Sequence, residues 1–442
     1  MQSYVDKLHN ALWKISEMVL RIVLPCACIL LVGYLLFSYT PPKEQGKPIK
    51  QWTEYRLIEN STYQIQTGTD DICPTLISKT TNELFAELLT KTVRALPMNF
   101  SARNVHQCNL FTQIYGDQLE VSQEEMEFPL AFSFNIHKEF YQFARLFRAV
   151  YRHHNSYCIH VDAKADETFR RQVGDLATCF GPNVHVIPLR QSISIHWADF
   201  GTVEAWIQCA KFFLKQSPIQ WRYMLNGSGQ EFPLLTNWEL VKALKAINGS
   251  NIVESDYSPR FRSRIPKKPL SFKLTWVKGS IYTALRKEMV RFALTNNYAK
   301  EILAALRSES KQKLCQDEMF FSTINYNPYF KAPGGCLVAK NPNDSDPRST
   351  FVARYVDWYP KPCLSKLSQR EVCIMGVRDI PKLTKRYEFF VNKFLPDFEP
   401  VAYDCLEWWL FRKIRDERDF GRTATSFNAS FYSDLYCSSN HL

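Results

Sequence analysis

Residues 130–138 read LAFSFNIHK, and residues 156–162 read SYCIHVD. Each is a short apolar run that ends on polar chemistry, His137-Lys138 in the first and Asp162 in the second. Between them Phe140, Phe143, Leu146, Phe147 and Val150 recur at spacings of three and four, which predicts an amphipathic helix from Lys138 to His153. Strand, helix and strand in about thirty residues make one unit of a parallel sheet.

The alternation continues downstream. A helix is predicted around Glu167–Phe180, a strand at Val184–Pro188 and a helix from Val203 to Lys215. A strand at Tyr223–Asn226, a helix at Asn237–Ile247 and a strand at Asn251–Glu254 follow. The expected fold class is α/β, with a mostly parallel sheet covered on both faces. In such sheets ligands bind outside the carboxyl ends of the strands, where His137, Asp162, Gly227–Glu231 and Glu254 would lie. The second half is less regular. Helices are predicted around Arg286–Leu294, Tyr298–Arg307 and Tyr387–Phe394, with a short strand at Glu371–Met375 and a loose polar tail over 416–442.

Upstream the texture is different. Residues 22–39 read IVLPCACILLVGYLLFSY without a charge. As a helix rising about 1.5 Å per residue the run spans roughly 27 Å, close to the hydrocarbon thickness of a bilayer. Lys7, Lys14 and Arg21 precede it, so residues 1–21 are expected in the cytosol and the remainder in the lumen, a single-pass type II arrangement. A cleavable signal peptide is the competing reading. Residues 40–126 then read as a stem and 127–415 as the globular domain.

Two of the thirteen cysteines lie in the anchor, and the other eleven are spread beyond it, which points to an oxidising compartment. Eleven is odd, so one thiol is free or links two chains into a homodimer. Glycosylation sequons at Asn60, Asn99, Asn248, Asn343 and Asn428 all follow the anchor, as does one at Asn226 inside a pocket motif, where modification is not expected. The formal net charge of +11 would suggest nucleic acid in a cytosolic protein. In a lumen it points instead to nucleotide phosphates, anionic glycans or lipid, and no nucleic-acid partner is expected. No Cys/His cluster has zinc spacing. Asp344-Ser345-Asp346 sits in a Pro/Asn-rich loop with no apolar strand leading into it, so no metal site is assigned there.

Taken in order, LAFSFNIHK, YCIHVDAKA (157–165), YMLNGSGQEFPLLTNWEL (223–240) and NIVES (251–255) resemble consecutive motifs of one family. It comprises the core 2 and I-branching β-1,6-N-acetylglucosaminyltransferases, relatives of the peptide O-xylosyltransferases. The resemblance runs from about Pro129 to Cys405. It implies the nucleotide-sugar-binding GT-A fold without its metal-binding motif, a UDP-N-acetylglucosamine donor, no cofactor, a glycan or glycoprotein acceptor, and a Golgi membrane location.

The resemblance also assigns residues. Glu318, in QDEMFF, would be the catalytic base, and a positioned carboxylate suits a hydroxyl that must lose its proton as it attacks. Arg370 and Lys393, separated by 23 residues, would neutralise the departing diphosphate in place of a metal. His137 and Asp162 would lie near uridine and ribose, although a strand-end carboxylate is as often a helix cap. Glu254, Arg262 and Trp358 would hold the acceptor sugar. Ile265 and Pro360 depart from the family pattern there, which leaves the acceptor's identity open. Four disulfides are implied: Cys73–Cys405, Cys108–Cys179, Cys158–Cys209 and Cys363–Cys373. A Cys315–Cys336 bridge bracing Glu318 is a further expectation. The alternatives are xylose transfer within the same family, or an inactive luminal protein that binds glycans.

Overall fold

A computed structural model describes residues 69–78 and 120–442 except 257, 310–314, 339–345 and 359. The expected anchor at 22–39, most of the stem, Cys108, and the sequons at Asn60, Asn99 and Asn343 lie outside the described residues. No helix among the described residues is long and apolar enough to cross a membrane.

In chain order the main elements are α1 (Thr69–Ile77), β1 (Leu130–Ile136), α2 (Phe140–Val150), β2 (Ser156–Val161), α3 (Glu167–Thr178), β3 (Val184–Val186), α4 (Gly201–Lys215), β4 (Tyr223–Ser228), β5 (Glu231–Pro233), α5 (Asn237–Ala246), β6 (Ala284–Arg286), α6 (Lys287–Thr295), α7 (Asn297–Ser308), α8 (Phe320–Asn325), β7 (Ser368–Gln369), β8 (Val372–Cys373), β9 (Phe390–Asn392) and α9 (Pro400–Phe420). The central sheet has the order β3-β2-β1-β4-β6, parallel except for β6.

Side chains of a strand alternate between faces, and here both faces are buried. Leu130, Phe132, Phe134 and Ile136 of β1 join Tyr157, Ile159 and Val161 of β2 and Tyr223 and Leu225 of β4 in one core, under α2, α3 and α5. The intervening Ala131, Cys158 and Met224 face a second core built by α4, α6, α7 and α8. A third core lies under β5 and β9, where Phe232, Val391, Met375 and Phe394 meet Leu406 and Leu410 of α9 and Leu76 of α1.

Strand order reverses at β1. The chain leaves it for β2 and β3 on one side, then crosses back to β4 on the other. That opens a crevice at the carboxyl ends of β1 and β4, where open α/β sheets bind ligands. His137, Asp162 and Ser228 end the strands bordering it. Gly227 is required beneath it, because a Cβ there would fall 2.1 Å from Glu231 Oε1.

Disulfides pair Cys73–Cys405, Cys158–Cys209 and Cys363–Cys373 as expected. Cys179 is also disulfide-bonded. The proposed Cys315–Cys336 bridge is wrong: Cys336 pairs with Cys437 and Cys315 is free. The tail explains the error, since it is not loose. Tyr432 is fully buried and donates to the Tyr387 carbonyl. Backbone bonds Leu442 N to Gly335 O and Gly334 N to Leu442 O, both 2.9 Å, bring the chain end against Cys336. The helix predicted at Tyr387–Phe394 is instead β9. Its alternation of Phe390, Val391 and Asn392 is satisfied by antiparallel pairing with β5, a partner more than 150 residues away in the chain. The strand predicted at Asn251–Glu254 reduces to a single bridge, Ile252 to Ala284.

Candidate active site

Glu318 ends a short 3-10 turn, Gln316–Glu318, that enters α8. Met319, Phe320 and Phe321 plug that turn into the second core, so the half-buried carboxylate rests on rigid packing. The main chain then splices two other segments onto it. Gly279 N donates to Glu318 O at 2.9 Å, and Lys278 exchanges two backbone hydrogen bonds with Asp256, at 2.6 and 2.8 Å. A Cβ on Gly279 would meet Ser322 Oγ at 1.9 Å and Glu254 O at 2.3 Å, so only glycine permits this approach.

The result is a cluster of charges. Lys278 Nζ lies 3.5 Å from Glu254 and 3.7 Å from Glu318, while Arg264 also pairs with Glu318. Burial raises the carboxyl pKa of Glu254, Lys278 opposes that rise, and the charge on Glu318 adds to it. Asp317 points inward. Burial, reinforced by the neighbouring Glu318, pushes it up to about 7, and its Oδ2 accepts from Thr202 at 2.9 Å. Cys315 is half-buried beside these groups, and burial raises its thiol pKa.

Across the crevice the charge is positive. Arg370 sits at the tip of the β7–β8 hairpin, with its guanidinium 5.7 Å from the exposed Trp197 ring. Lys393 follows β9 directly, and its carbonyl is held by Met375 N at 2.9 Å. Burial lowers the pKa of its ammonium, and the charges on Arg370 and then Lys138 lower it further, which places the three cations close together. No carboxylate pairs with Arg370 or Lys393 among the described residues. Lys138 has only an exposed contact with Glu139.

Two links join the halves. Ala198, next to Trp197, accepts from Cys315 N at 3.1 Å, three residues before Glu318. Ser228 Oγ lies 3.4 Å from Tyr282 and 3.5 Å from Asn392, the neighbour of Lys393. Below it a buried Arg354–Glu231 pair, 3.3 Å apart, holds the floor. Burial raises Glu231 to about 7 against the pull of Arg354.

Several expected residues are placed differently. Asp162 is almost fully buried, and its oxygens accept from Lys164 N at 2.8 Å and Ile195 N at 3.1 Å, which pins the Trp197 loop to the end of β2. The helix cap is Asp166 instead, whose side chain accepts from Phe169 N, so Asp162 caps a turn and orders the crevice wall. His137 is exposed at the crevice edge. Arg262 is exposed on the 3-10 turn Pro259–Arg264, and it is Arg264, two residues on, that reaches Glu318. Trp358 is 51% exposed and bridges through its backbone to Val372. Asn226 cannot carry a glycan here: its amide donates to Ile281 O at 2.7 Å and accepts from Thr283 N at 2.8 Å. Asn248 and Asn428 are at the surface.

Lys278, Arg264, Lys138 and Trp197 are additions from the structure. A lone lysine after Trp276-Val277 carries no signal of its own. Its partners are 24 and 40 residues away, so only folding shows them.

Residues 130–384 match the family profile "Core-2/I-Branching enzyme". The chain is 31% identical over 322 residues to the Rattus norvegicus "Beta-1,3-galactosyl-O-glycosyl-glycoprotein beta-1,6-N-acetylglucosaminyltransferase 3", covering 67% of this chain and 71% of the relative. The Homo sapiens protein of that name is 31% identical over 66% of this chain and 70% of its own length. A Bovine herpesvirus 4 enzyme, "Beta-1,3-galactosyl-O-glycosyl-glycoprotein beta-1,6-N-acetylglucosaminyltransferase", is 30% identical over 67% of this chain and 71% of its own.

Proposed function

The chain belongs to the core-2/I-branching enzyme family, and on that premise we propose that it transfers N-acetylglucosamine from UDP-N-acetylglucosamine to a C6 hydroxyl of a glycan, forming a β-1,6 linkage. The observation that carries the proposal is the adjacency of two unlike charge sets. Arg370 and Lys393, which pair with no carboxylate among the described residues, form one set and Glu254 and Glu318 the other; the Arg370–Trp197 contact and the Ala198–Cys315 hydrogen bond connect them.

The chemistry is a single displacement. Glu318 takes the proton from the acceptor O6–H as O6 bonds to the anomeric carbon, and the bond from that carbon to the diphosphate breaks with inversion. UDP leaves with the electron pair, and its growing charge is met by Arg370 and Lys393, with Lys138 nearby. Glu254, Arg262 and Trp358 hold the acceptor. His137 borders the nucleoside end, and Asp162 shapes the wall there. Two fixed cations fill the role that a divalent metal has in other nucleotide-sugar enzymes, so the reaction is proposed to be metal-independent.

The uncharged run at 22–39, with basic residues before it, supports a type II anchor in the Golgi membrane that holds this domain in the lumen. The test is UDP release from UDP-N-acetylglucosamine against a panel of glycan acceptors, with and without EDTA, and the product linkage read by NMR. EDTA-insensitive turnover with a new β-1,6 linkage is expected. Turnover only with UDP-xylose, or with no donor at all, would overturn the reading.

A further inference from the structure

Glu254 and Glu318 have different jobs in the proposed reaction, one holding the acceptor and the other accepting its proton, yet they share one ammonium. Lys278 Nζ is 3.5 Å from the first and 3.7 Å from the second. The sharing is built in by the backbone. Lys278 is hydrogen-bonded in both directions to Asp256, two residues from Glu254, and the next residue, Gly279, donates to the carbonyl of Glu318 itself. A side chain at 279 would break the splice, because it would overlap Ser322 and the Glu254 carbonyl. The lysine is mostly shielded, with 15% of its side chain exposed, so water screens it little.

We propose that Lys278 is a positioning residue of the transfer reaction: it is the common counter-ion that keeps the acceptor-holding carboxylate and the base ionised side by side. The inference rests on the reaction assigned above. Two carboxylates sharing a half-buried site repel, and without a cation between them one takes up a proton. A base that has taken a proton before the acceptor arrives cannot take another.

Every charged or titratable group facing the pair bears on this. Arg264, from the Pro259–Arg264 turn, pairs with Glu318 alone. Asp256 adds negative charge beside Glu254 but has its own partner, Arg260, at 2.7 Å. Cys315, from the segment carrying Glu318, and Tyr326, behind Glu254, are acids whose protons are held by burial, while Asp317, pushed up to about 7, is protonated through the acidic range. Lys278 is the cation within reach of both carboxylates among the described residues. The coupling of Glu254 to Glu318 and to Lys278 also appears in what sets its pKa.

The test compares Lys278→Met, Lys278→Arg and the double variant Lys278→Met/Glu254→Gln. In the methionine variant the acidic limb of kcat/KM is expected to move up by about one pH unit, so that kcat/KM falls by up to about tenfold at acidic pH. Arginine should restore the wild-type limb, because it restores the charge. The double variant should also restore the limb, whatever its absolute rate, because the like charge is gone. A role limited to packing predicts no limb movement and rescue by methionine, whose stem is similar, and that result overturns the proposal.

Carbon-13 titration of the glutamate carboxyls is followed beside the kinetics and needs no turnover. An upward move of the Glu254–Glu318 titration in Lys278→Met supports the counter-ion role, and an unchanged titration overturns it. Absence of wild-type turnover with every acceptor would count against the assigned reaction, while the carboxyl titration still decides this inference.

Discussion

The two sides of the crevice are built by opposite rules. The Glu254–Glu318 side is charge-balanced in the free protein, each carboxylate already facing a cation, and it rests on the second core through Met319, Phe320 and Phe321. The Arg370–Lys393 side has no paired carboxylate among the described residues, and it rests on the third core through Val391, Met375 and Phe394. Each has its own staple, Cys336–Cys437 for the first and Cys73–Cys405 for the second. A side with paired charges is prepared for a neutral sugar and for proton transfer, whereas a side with cations left over is prepared for an anion.

Separating the two sides by mutation gives the largest effect. Glu318→Gln keeps shape and hydrogen bonding but cannot take a proton, so transfer should fall by about 10²–10⁴-fold. UDP affinity by calorimetry should stay within about twofold, because nothing on the phosphate side changes. Transfer above a few per cent of wild type would remove Glu318 from the role of base.

The staples should fail separately as well. A chain beginning near Pro129 lacks α1 and Cys73, and losing a native disulfide costs about 2–5 kcal/mol. Compared with a chain beginning near Lys43, it should give less folded protein and weaker UDP binding, measured by yield, thermal unfolding and calorimetry. Equal yield and activity would show that the stem residues are dispensable.

Lys393→Ala should weaken UDP binding by about tenfold, the loss of one charge-assisted contact. Its pH dependence sharpens the point. Burial and Arg370 hold the Lys393 pKa below the usual lysine range, so the ammonium loses its proton earlier as pH rises. UDP affinity of the wild type should therefore decline at alkaline pH, and Lys393→Arg should abolish that decline. Equal decline in both proteins would move the titrating group elsewhere.

The smallest effect concerns stability on the carboxylate side. Asp317 titrates at about 7 when folded, well above an exposed aspartate, so between about pH 4 and 7 the folded chain binds more protons than the unfolded one. Its contribution to stability must then fall as pH rises through that window. Asp317→Asn should flatten the pH dependence of the melting temperature there, and an unchanged slope would show that Asp317 does not titrate as placed.

Much of the sheet was legible because its signals are local. β1, β2 and β4 announce themselves as apolar runs, and α2 as threes and fours, since a buried face imposes its period on the residues that form it. Glu318, Arg370 and Lys393 were legible only through resemblance. β9 was misread because three residues cannot display a period, and their extended form depends on β5. The tail was misread because its polar composition hides Tyr432 and Leu435, which are buried in the first core, and Cys437, which is half-buried and bonded to Cys336.

The sequence by itself determined the layers and the strand-end positions of His137, Asp162 and Ser228, along with the residue types able to do transfer chemistry. Those properties follow from the period of hydrophobic residues and the valence of single side chains. Only the tertiary structure decided that Asp162 caps a turn, that Arg264 rather than Arg262 meets Glu318, and that one lysine serves two carboxylates. Charges interact by distance, and separations of 24 and 40 residues along the chain become less than 4 Å only after Gly279 lets three segments close on one another.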